Sequence, residues 1–139
     1  IDDVTGILKL IEPLENQGTL AKRSRELLES EIEQFEVIER DGLLIGCAAL
    51  YAFEQSGEMA CLVIHPDYRN SDRADRLLDT IEAKAKKTGI NQLFVLTTQT
   101  LHWFTERDFE ERSIEQLPEA KLQFYNYQRN SRVLYRTVN

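Results

Sequence analysis

The 139-residue sequence has no long apolar run, and it contains two cysteines, two histidines, three prolines and six glycines. Because a membrane helix needs about 20 consecutive apolar residues, we predict no transmembrane span and no secretory signal. Cys47 and Cys61 both lie in apolar runs, which is typical of reduced, buried thiols in a cytoplasmic protein rather than of a disulfide framework. His65 and His102 are far apart and have no neighbouring ligands, so the sequence predicts no metal site.

Basic residues are also in deficit, since 17 Lys and Arg face 24 Asp and Glu and give a formal net charge of −7. A nucleic-acid surface needs a basic field, so we expect no nucleic-acid partner and no binding to anionic membranes. Any anion site must therefore be a local group of basic residues. The length and the 42% hydrophobic content predict one domain over residues 1–139 with a core of its own.

Hydrophobic spacing indicates a definite order of elements. Two helices are expected first, then three antiparallel strands, then alternating helices and strands with a strand at the end. Asp41-Gly42 between apolar runs favours a hairpin, and Ser24 is a candidate N-cap. The segment 117–130 fits neither a helix nor a strand clearly. The order predicts a three-layer α/β sandwich. Its predicted helices are 2–17, 22–35, 72–88 and 100–109, and its strands lie within 35–53 and at 57–66, 93–96, 109–114 and 131–138.

A stretch without glycine, residues 63–78, joins the third strand to the best predicted helix. The start of a helix that follows a strand is a ready anion site, and Arg69 and Arg73 would add charged donors. Alternatively, Ser71 or Asp72 only caps the helix and the arginines are solvated. Because close approach of a phosphate to the backbone is easier at glycine, the composition of the stretch leaves both interpretations open.

This stretch resembles the acetyl-CoA loop of the GCN5-related N-acetyltransferase (GNAT) superfamily, which reads Arg/Gln-x-x-Gly-x-Gly/Ala after a strand ending in V-x-P-x-Y-R. Here Arg69 and Ala74 match the loop pattern and Asp72 replaces a glycine. Five further segments resemble, in the same order, the acetyltransferase domain of bacterial N-acetylglutamate synthases, a family that tolerates a glycine-poor loop. They are KRSRELLESEI, CAALY, GEMACLVIHPDYR, LFVLTTQTLHWFTERDF and LPEAKLQFYNYQRNSRVL.

The resemblance implies a GNAT-type α/β/α sandwich around a mixed, mostly antiparallel sheet. The first strand of the superfamily is expected to be missing, since the sequence starts at the first helix, with Ile1 rather than Met. It also implies that residues 1–139 are the C-terminal domain of a longer synthase. An amino-acid-kinase-like domain, through which such synthases could form homo-oligomers, has no counterpart here.

The implied function is transfer of an acetyl group from acetyl-CoA to the α-amine of L-glutamate, the first step of arginine biosynthesis, without a metal. The amine would attack the thioester directly, helped by a carboxylate base. Two alternatives stay open. One is acetylation of another small amine, and the other is a non-catalytic domain that binds acyl-CoA for regulation.

By the same resemblance Glu58 is the base and the Thr97 hydroxyl is the general acid. Glu58 could instead be a solvated carboxylate at a strand entrance, and Thr97 a helix cap. Many members of the superfamily use a tyrosine as the general acid, but the matching position here is Phe104, which has no proton to give. His102 and Tyr125 are further candidates for the acid. The thiolate could also leave without a dedicated acid, because thiol pKa values lie near 8.5.

Glutamate brings two carboxylates, which arginine binds with a two-point fork. The resemblance implies that the substrate-binding residues are Arg23, Cys61, Arg129 and Ser131. Solvated surface charge is the alternative, and it fits Arg25 and Arg132.

A β-bulge in the third strand is implied, and without it Cys61 is a small core residue. We expect Asp72 to point away from the diphosphate as a helix cap, with Arg73 offsetting its charge. The implied cofactor-binding residues are Cys61, Leu62, Val63 and Ile64 through their backbone, and Arg69, Asn70, Ser71, Asp72, Arg73 and Ala74 in the loop.

Overall fold

The computed structural model describes residues 2–18, 20, 22–69, 72–97, 101–123 and 131–138. Its elements follow the predicted order, and the segment 117–130 contributes a short helix. The helices are α1 (Asp2–Asn16), α2 (Arg25–Glu31), α3 (Arg73–Lys87), α4 (Leu101–Thr105) and α5 (Glu119–Leu122). The strands are β1 (Phe35–Arg40), β2 (Leu43–Phe53), β3 (Ser56–Ile64), β4 (Gln92–Thr97), β5 (Glu110–Arg112) and β6 (Arg132–Thr137).

All six strands join one sheet in the order β1-β2-β3-β4-β6-β5. Strands β3 and β4 are parallel and every other neighbouring pair is antiparallel, so the predicted mixed, mostly antiparallel sheet is confirmed. The hairpin between β1 and β2 turns at Asp41 and Gly42, whose φ angles of 52° and 80° lie in the left-handed region. An Asp-Gly pair tolerates this region, which explains the tight turn.

Helices cover both faces of the sheet, as a three-layer sandwich requires. On one face, called the α3 face, Leu77, Leu78 and Ile81 pack in one core with Met59 and Leu93. On the other face, called the α1 face, apolar residues of α1 and α2 share a second core with β1–β3. That second core includes Val4, Ile7, Ile11, Leu28, Cys61 and Val63. Strand β3 contributes to both cores and so lies at the centre of the domain.

The predicted helix cap at Ser24 is confirmed, because its side chain accepts a hydrogen bond from the Leu27 N–H at 3.1 Å. In the part of the chain that the structure describes, no helix combines the length and the apolar character that crossing a bilayer requires.

Candidate functional site

Strands β3 and β4 run side by side for only three residues and then separate. Ser56, Gly57 and Glu58 pair with Gln92, Leu93 and Phe94. Beyond this point β4 stays paired with β6 as far as Thr97, and β3 stays paired with β2 as far as Ile64. Among the described residues, none of β4 pairs with the rest of β3. Backbone N–H and C=O groups require hydrogen-bond partners, so this edge of β3 can bind an extended ligand.

The open part of β3 contains a β-bulge. Cys47 pairs with Val63 and Ala49 pairs with Ala60, so two β3 residues, Cys61 and Leu62, lie opposite one residue of β2. Cys61 has a φ angle of 55°, in the left-handed region that non-glycine residues seldom adopt. The bulge changes the alternation of the strand.

The two cores record this change of alternation. Met59 packs on the α3 face, whereas Cys61, two residues later, packs on the α1 face. Leu62 returns to the α3 face and Val63 to the α1 face. The expected bulge is therefore confirmed, and it places Cys61 on the opposite face from the one that a regular strand would give.

Glu58 occupies the point where the two strands separate. It lies opposite Tyr51 on β2 and Phe94 on β4, and only 6% of its surface is exposed. The Lys121 Nζ atom, on α5, lies 2.9 Å from Glu58 Oε1. A buried carboxylate requires such a partner because desolvation of an isolated charge is costly. The alternative that Glu58 is a solvated surface residue is therefore wrong.

Arg23 belongs to a network next to the open part of β3. The Arg23 backbone N–H donates to Glu15 Oε2 at 2.8 Å, and its guanidinium is hydrogen bonded to the Tyr51 hydroxyl. Tyr51 in turn donates to Glu31 Oε1 at 2.8 Å. Burial lowers the pKa of Arg23, but electrostatic interactions with Cys61, Tyr51 and Glu58 outweigh this and raise it. Arg23 is thus linked through Tyr51 to the position on β2 that lies opposite Glu58.

Arg25 shows by contrast what an ordinary surface arginine looks like in this chain. It is exposed, lies 3.3 Å from Glu29 one helical turn away, and donates to Thr5 at 3.1 Å. Arg132 is similar, since it is exposed and paired with Glu111. The interpretation of these two residues as surface charge is confirmed.

Cys61 is buried and reduced, as is Cys47, whose Sγ donates to the Cys61 carbonyl oxygen at 3.3 Å. Burial raises the pKa of the Cys61 thiol to about 11. Because the thiolate is the reactive form, Cys61 is a poor nucleophile near neutral pH. This state agrees with a direct reaction in which no cysteine forms a covalent intermediate.

Two hydroxyl residues lie at the same end of the β4–β6 pair. Thr97 ends β4 opposite Arg132, and Ser131, which is buried, comes directly before Arg132. The sheet thus brings together the predicted acid and one predicted substrate-binding residue. Of the other candidates for the acid, His102 has a highly exposed side chain 3.3 Å from Glu106. Tyr125 and the predicted substrate ligand Arg129 lie outside the described residues.

The loop after β3 leads into α3. Arg69 Nε donates to the Ile64 carbonyl oxygen at 3.3 Å, and the Arg73 guanidinium lies 5.2 Å from the centre of the Tyr68 ring. Helix α3 begins at Arg73, with Ala74 half-buried in its first turn. Asn70 and Ser71 lie outside the described residues.

The expectation that the Asp72 side chain caps α3 was wrong. Asp72 stands at the N-cap position of α3, but its side chain makes no capping hydrogen bond. Its carboxylate instead lies 3.2 Å from Arg76 Nε, one turn along the helix. Arg76 therefore offsets its charge, because an (i, i+4) pair brings the two side chains to the same side of the helix.

The described ranges contain no group of three or more His, Cys, Asp or Glu residues that could hold a metal ion. The residues gathered around the open part of β3 are a carboxylate, basic side chains and hydroxyl groups. These groups are suited to proton transfer and to binding of anionic molecules.

Comparison with protein families identifies the fold. Residues 31–111 match the model of the acetyltransferase (GNAT) domain, which is more than half of the chain. The chain belongs to the GNAT family. The separated strands, the bulge and the loop that leads into α3 are thus features of a GNAT domain.

Curated relatives carry the same region. An amino-acid acetyltransferase of Ectopseudomonas mendocina (strain ymp) is 56% identical over 140 residues, which is 99% of this chain and 32% of the relative. One of Aeromonas salmonicida (strain A449) is 55% identical over 141 residues, or 100% of this chain and 32% of the relative. The chain therefore spans about a third of the length of these relatives.

A solved structure agrees closely with this GNAT domain. N-acetylglutamate synthase from Neisseria gonorrhoeae, complexed with coenzyme A and N-acetyl-glutamate, superposes with a TM-score of 0.96 at 44% identity. The match covers 100% of this chain and 34% of that chain.

Two residues that contact the candidate site residues were not predicted from the sequence. Lys121 lies in the segment 117–130, whose pattern was ambiguous, and its partner Glu58 is 63 residues away along the chain. Tyr51 looked like one apolar position of a strand, and only the fold brings its hydroxyl between Arg23 and Glu31. A buried carboxylate requires a basic partner. A lysine to which no role had been given was therefore the one signal in the sequence that could have predicted this contact.

Proposed function

We propose that this GNAT domain transfers the acetyl group of acetyl-CoA to the α-amine of L-glutamate and forms N-acetylglutamate. The observation that carries the proposal is the buried carboxylate of Glu58 at the separation of β3 and β4, opposite Tyr51, which is hydrogen bonded to Arg23. The names of the amino-acid acetyltransferase relatives and the ligands of the gonococcal synthase support it. We also propose that residues 1–139 are the acetyltransferase domain of a longer synthase, consistent with the one-third share.

The open edge of β3 fits the thioester arm of the cosubstrate. Its backbone groups from Met59 to Ile64 have no strand partner on the β4 side among the described residues. An extended arm with amide groups can hydrogen bond there as a strand would. The N-terminus of α3 and the nearby Arg73 would then receive the diphosphate.

Glu58 would accept a proton from the α-ammonium group, directly or through a water molecule. The amine nitrogen then attacks the thioester carbonyl carbon, the new C–N bond forms, and the C–S bond breaks. The departing thiolate takes up a proton, for which the Thr97 hydroxyl remains the proposed source, and the second proton that the nitrogen loses as the amide forms restores that hydroxyl. Arg23, together with Arg129 and Ser131, would bind the carboxylates of glutamate, because a guanidinium matches the geometry of a carboxylate.

Release of free coenzyme A thiol, measured over a matched set of amino acids, tests the proposal. The set is L-glutamate, L-glutamine, L-aspartate and D-glutamate. Glutamine lacks one charge at the same shape, so we expect its kcat/KM to be about 10- to 100-fold lower than that of L-glutamate. Equal rates for all four would remove the glutamate assignment. A protein that binds coenzyme A but releases no thiol with any of them would be a regulatory domain.

A further inference from the structure

Lys121 forms the most buried ion pair among the described residues, and its partner is Glu58, the candidate base. Its Nζ atom lies 2.9 Å from Glu58 Oε1, and the side chains are 23% and 8% exposed. In the described part of the chain, Glu58 is the one charged residue that is buried. Exposed ion pairs contribute little to stability, but this pair is largely buried, so that rule does not apply to it.

The fold supports α5 at this position. Leu117, just before α5, is buried in a core with Phe94, and Leu122 at the end of α5 packs against the same core. Phe94 is the β4 residue that lies opposite Glu58. Packing on both sides of Lys121 thus directs a lysine to the point where β3 and β4 separate.

Two groups of opposite charge must act in this site without neutralising each other. Glu58 has to accept a proton and Arg23 has to bind a carboxylate, yet Arg23 is hydrogen bonded to Tyr51, which lies opposite Glu58 on β2. Lys121 binds one oxygen of Glu58, and the Tyr51 hydroxyl binds Arg23. The lysine compensates the buried charge, so Glu58 needs no ion pair with Arg23, and the second carboxylate oxygen is left to receive the proton.

We propose that Lys121 is a positioning residue that holds Glu58 in place as the base and keeps it from pairing with Arg23. The inference deepens the proposed function and rests on it. Without Lys121, Glu58 is expected to turn to Arg23 or to lose its charge, since an uncompensated buried charge is costly. Either change removes the base, and the first also occupies the group that binds glutamate.

The test compares K121M with K121R and with K84M. Lys84 makes a similar half-buried pair with Glu36 at 3.3 Å and serves as the matched control. We expect K121M to lower kcat about 10- to 100-fold and to raise the glutamate KM, with the acetyl-CoA KM within about twofold. K121R should recover most of kcat, because it restores the charge. K84M should leave all three constants near those of the wild type.

A double-mutant cycle separates positioning from direct action. E58Q alone should lower kcat about 10²- to 10⁴-fold, as removal of a general base does. If Lys121 acts through Glu58, K121M should cost nothing further in the E58Q background.

Three results would overturn the inference. The first is a K121M protein with the kcat of the wild type. The second is a further loss of kcat when K121M is added to E58Q. The third is a loss of kcat in K121M that K121R does not repair and that accompanies a lower melting temperature than that of K84M. A wild-type protein that releases no thiol with glutamate overturns the proposed function and this inference together. An active wild type with an equally active K121M overturns the inference alone.

Discussion

The two ends of strand β3 have the same neighbour on one side and different surroundings on the other. Ser56–Glu58 are hydrogen bonded to β2 and to β4, whereas Met59–Ile64 are bonded to β2 and border the gap beside β4. The paired end carries a glycine and a buried carboxylate, and the open end carries the bulge at Cys61. One strand is thus paired on both sides at its beginning and leaves its β4 side open at its end.

This difference shows how a GNAT domain builds a cleft without a long loop. The gap forms because β4 stays paired with β6 after Phe94 while β3 stays paired with β2. The two strands are still paired at Glu58, so the proposed base lies on a regular strand at the closed end of the gap rather than on a loop. Sites on regular elements are held more exactly in place than sites on loops.

The largest expected effect is the loss of stability caused by a substitution at the paired end, compared with one at the open end. Leu93 lies opposite Gly57 at the paired end and is fully buried, so L93A should lower the free energy of unfolding by about 2–5 kcal/mol. Leu62 at the open end is half-buried, and L62A should lower it by about 1 kcal/mol. Urea denaturation followed by circular dichroism measures both.

The ligand affinities of these variants sharpen the comparison. Calorimetric titration of coenzyme A well below the melting temperature should give an unchanged Kd for L93A and a weaker one for L62A. Equal losses of stability in the two variants would mean that the open end is as much a part of the core as the paired end.

A second prediction concerns Arg23, beside the open end. R23A should raise the glutamate KM about 10- to 100-fold, because it removes charged hydrogen bonds to a carboxylate. Acetyl-CoA KM should change little. R25A is the matched control, since Arg25 lies two residues away but is exposed and paired with Glu29. Steady-state thiol release gives both constants, and similar effects of the two substitutions would contradict a specific role for Arg23.

Local chemistry explains how much of this molecule the sequence predicted. The hairpin at Asp41-Gly42 and the cap at Ser24 depend on neighbouring residues, and both were predicted correctly. The bulge at Cys61 followed from family resemblance, since alternation alone would have placed Cys61 with Met59. The side chain of Asp72 was predicted wrongly, because a cap and an (i, i+4) pair with Arg76 satisfy the same local rules.

Contacts distant in sequence explain what was missed. Lys121 and Glu58 meet because α5 packs beside Phe94, and no local pattern in either segment reports that contact. The same holds for Tyr51, whose position in β2 was predicted but whose hydroxyl finds Glu31 only across the folded domain. The roles of Thr97, Ser131 and the loop residues stay predictions, since they concern bound substrates.

The smallest expected effect tests whether Tyr51, at the boundary between the two ends, positions Arg23. Y51F removes the hydroxyl that bonds Arg23 and Glu31 but keeps the ring. One such hydrogen bond contributes about 0.5–1.5 kcal/mol, so the glutamate KM should rise about 3- to 10-fold. Y135F is the matched control, because the Tyr135 hydroxyl donates to the Gln116 carbonyl oxygen at 2.8 Å. If Y51F and Y135F change the melting temperature alike and neither alters the glutamate KM, Tyr51 only stabilises the fold. A rise of the glutamate KM in Y51F alone would instead show that Tyr51, on β2 opposite the paired end of β3, holds Arg23 in position for glutamate.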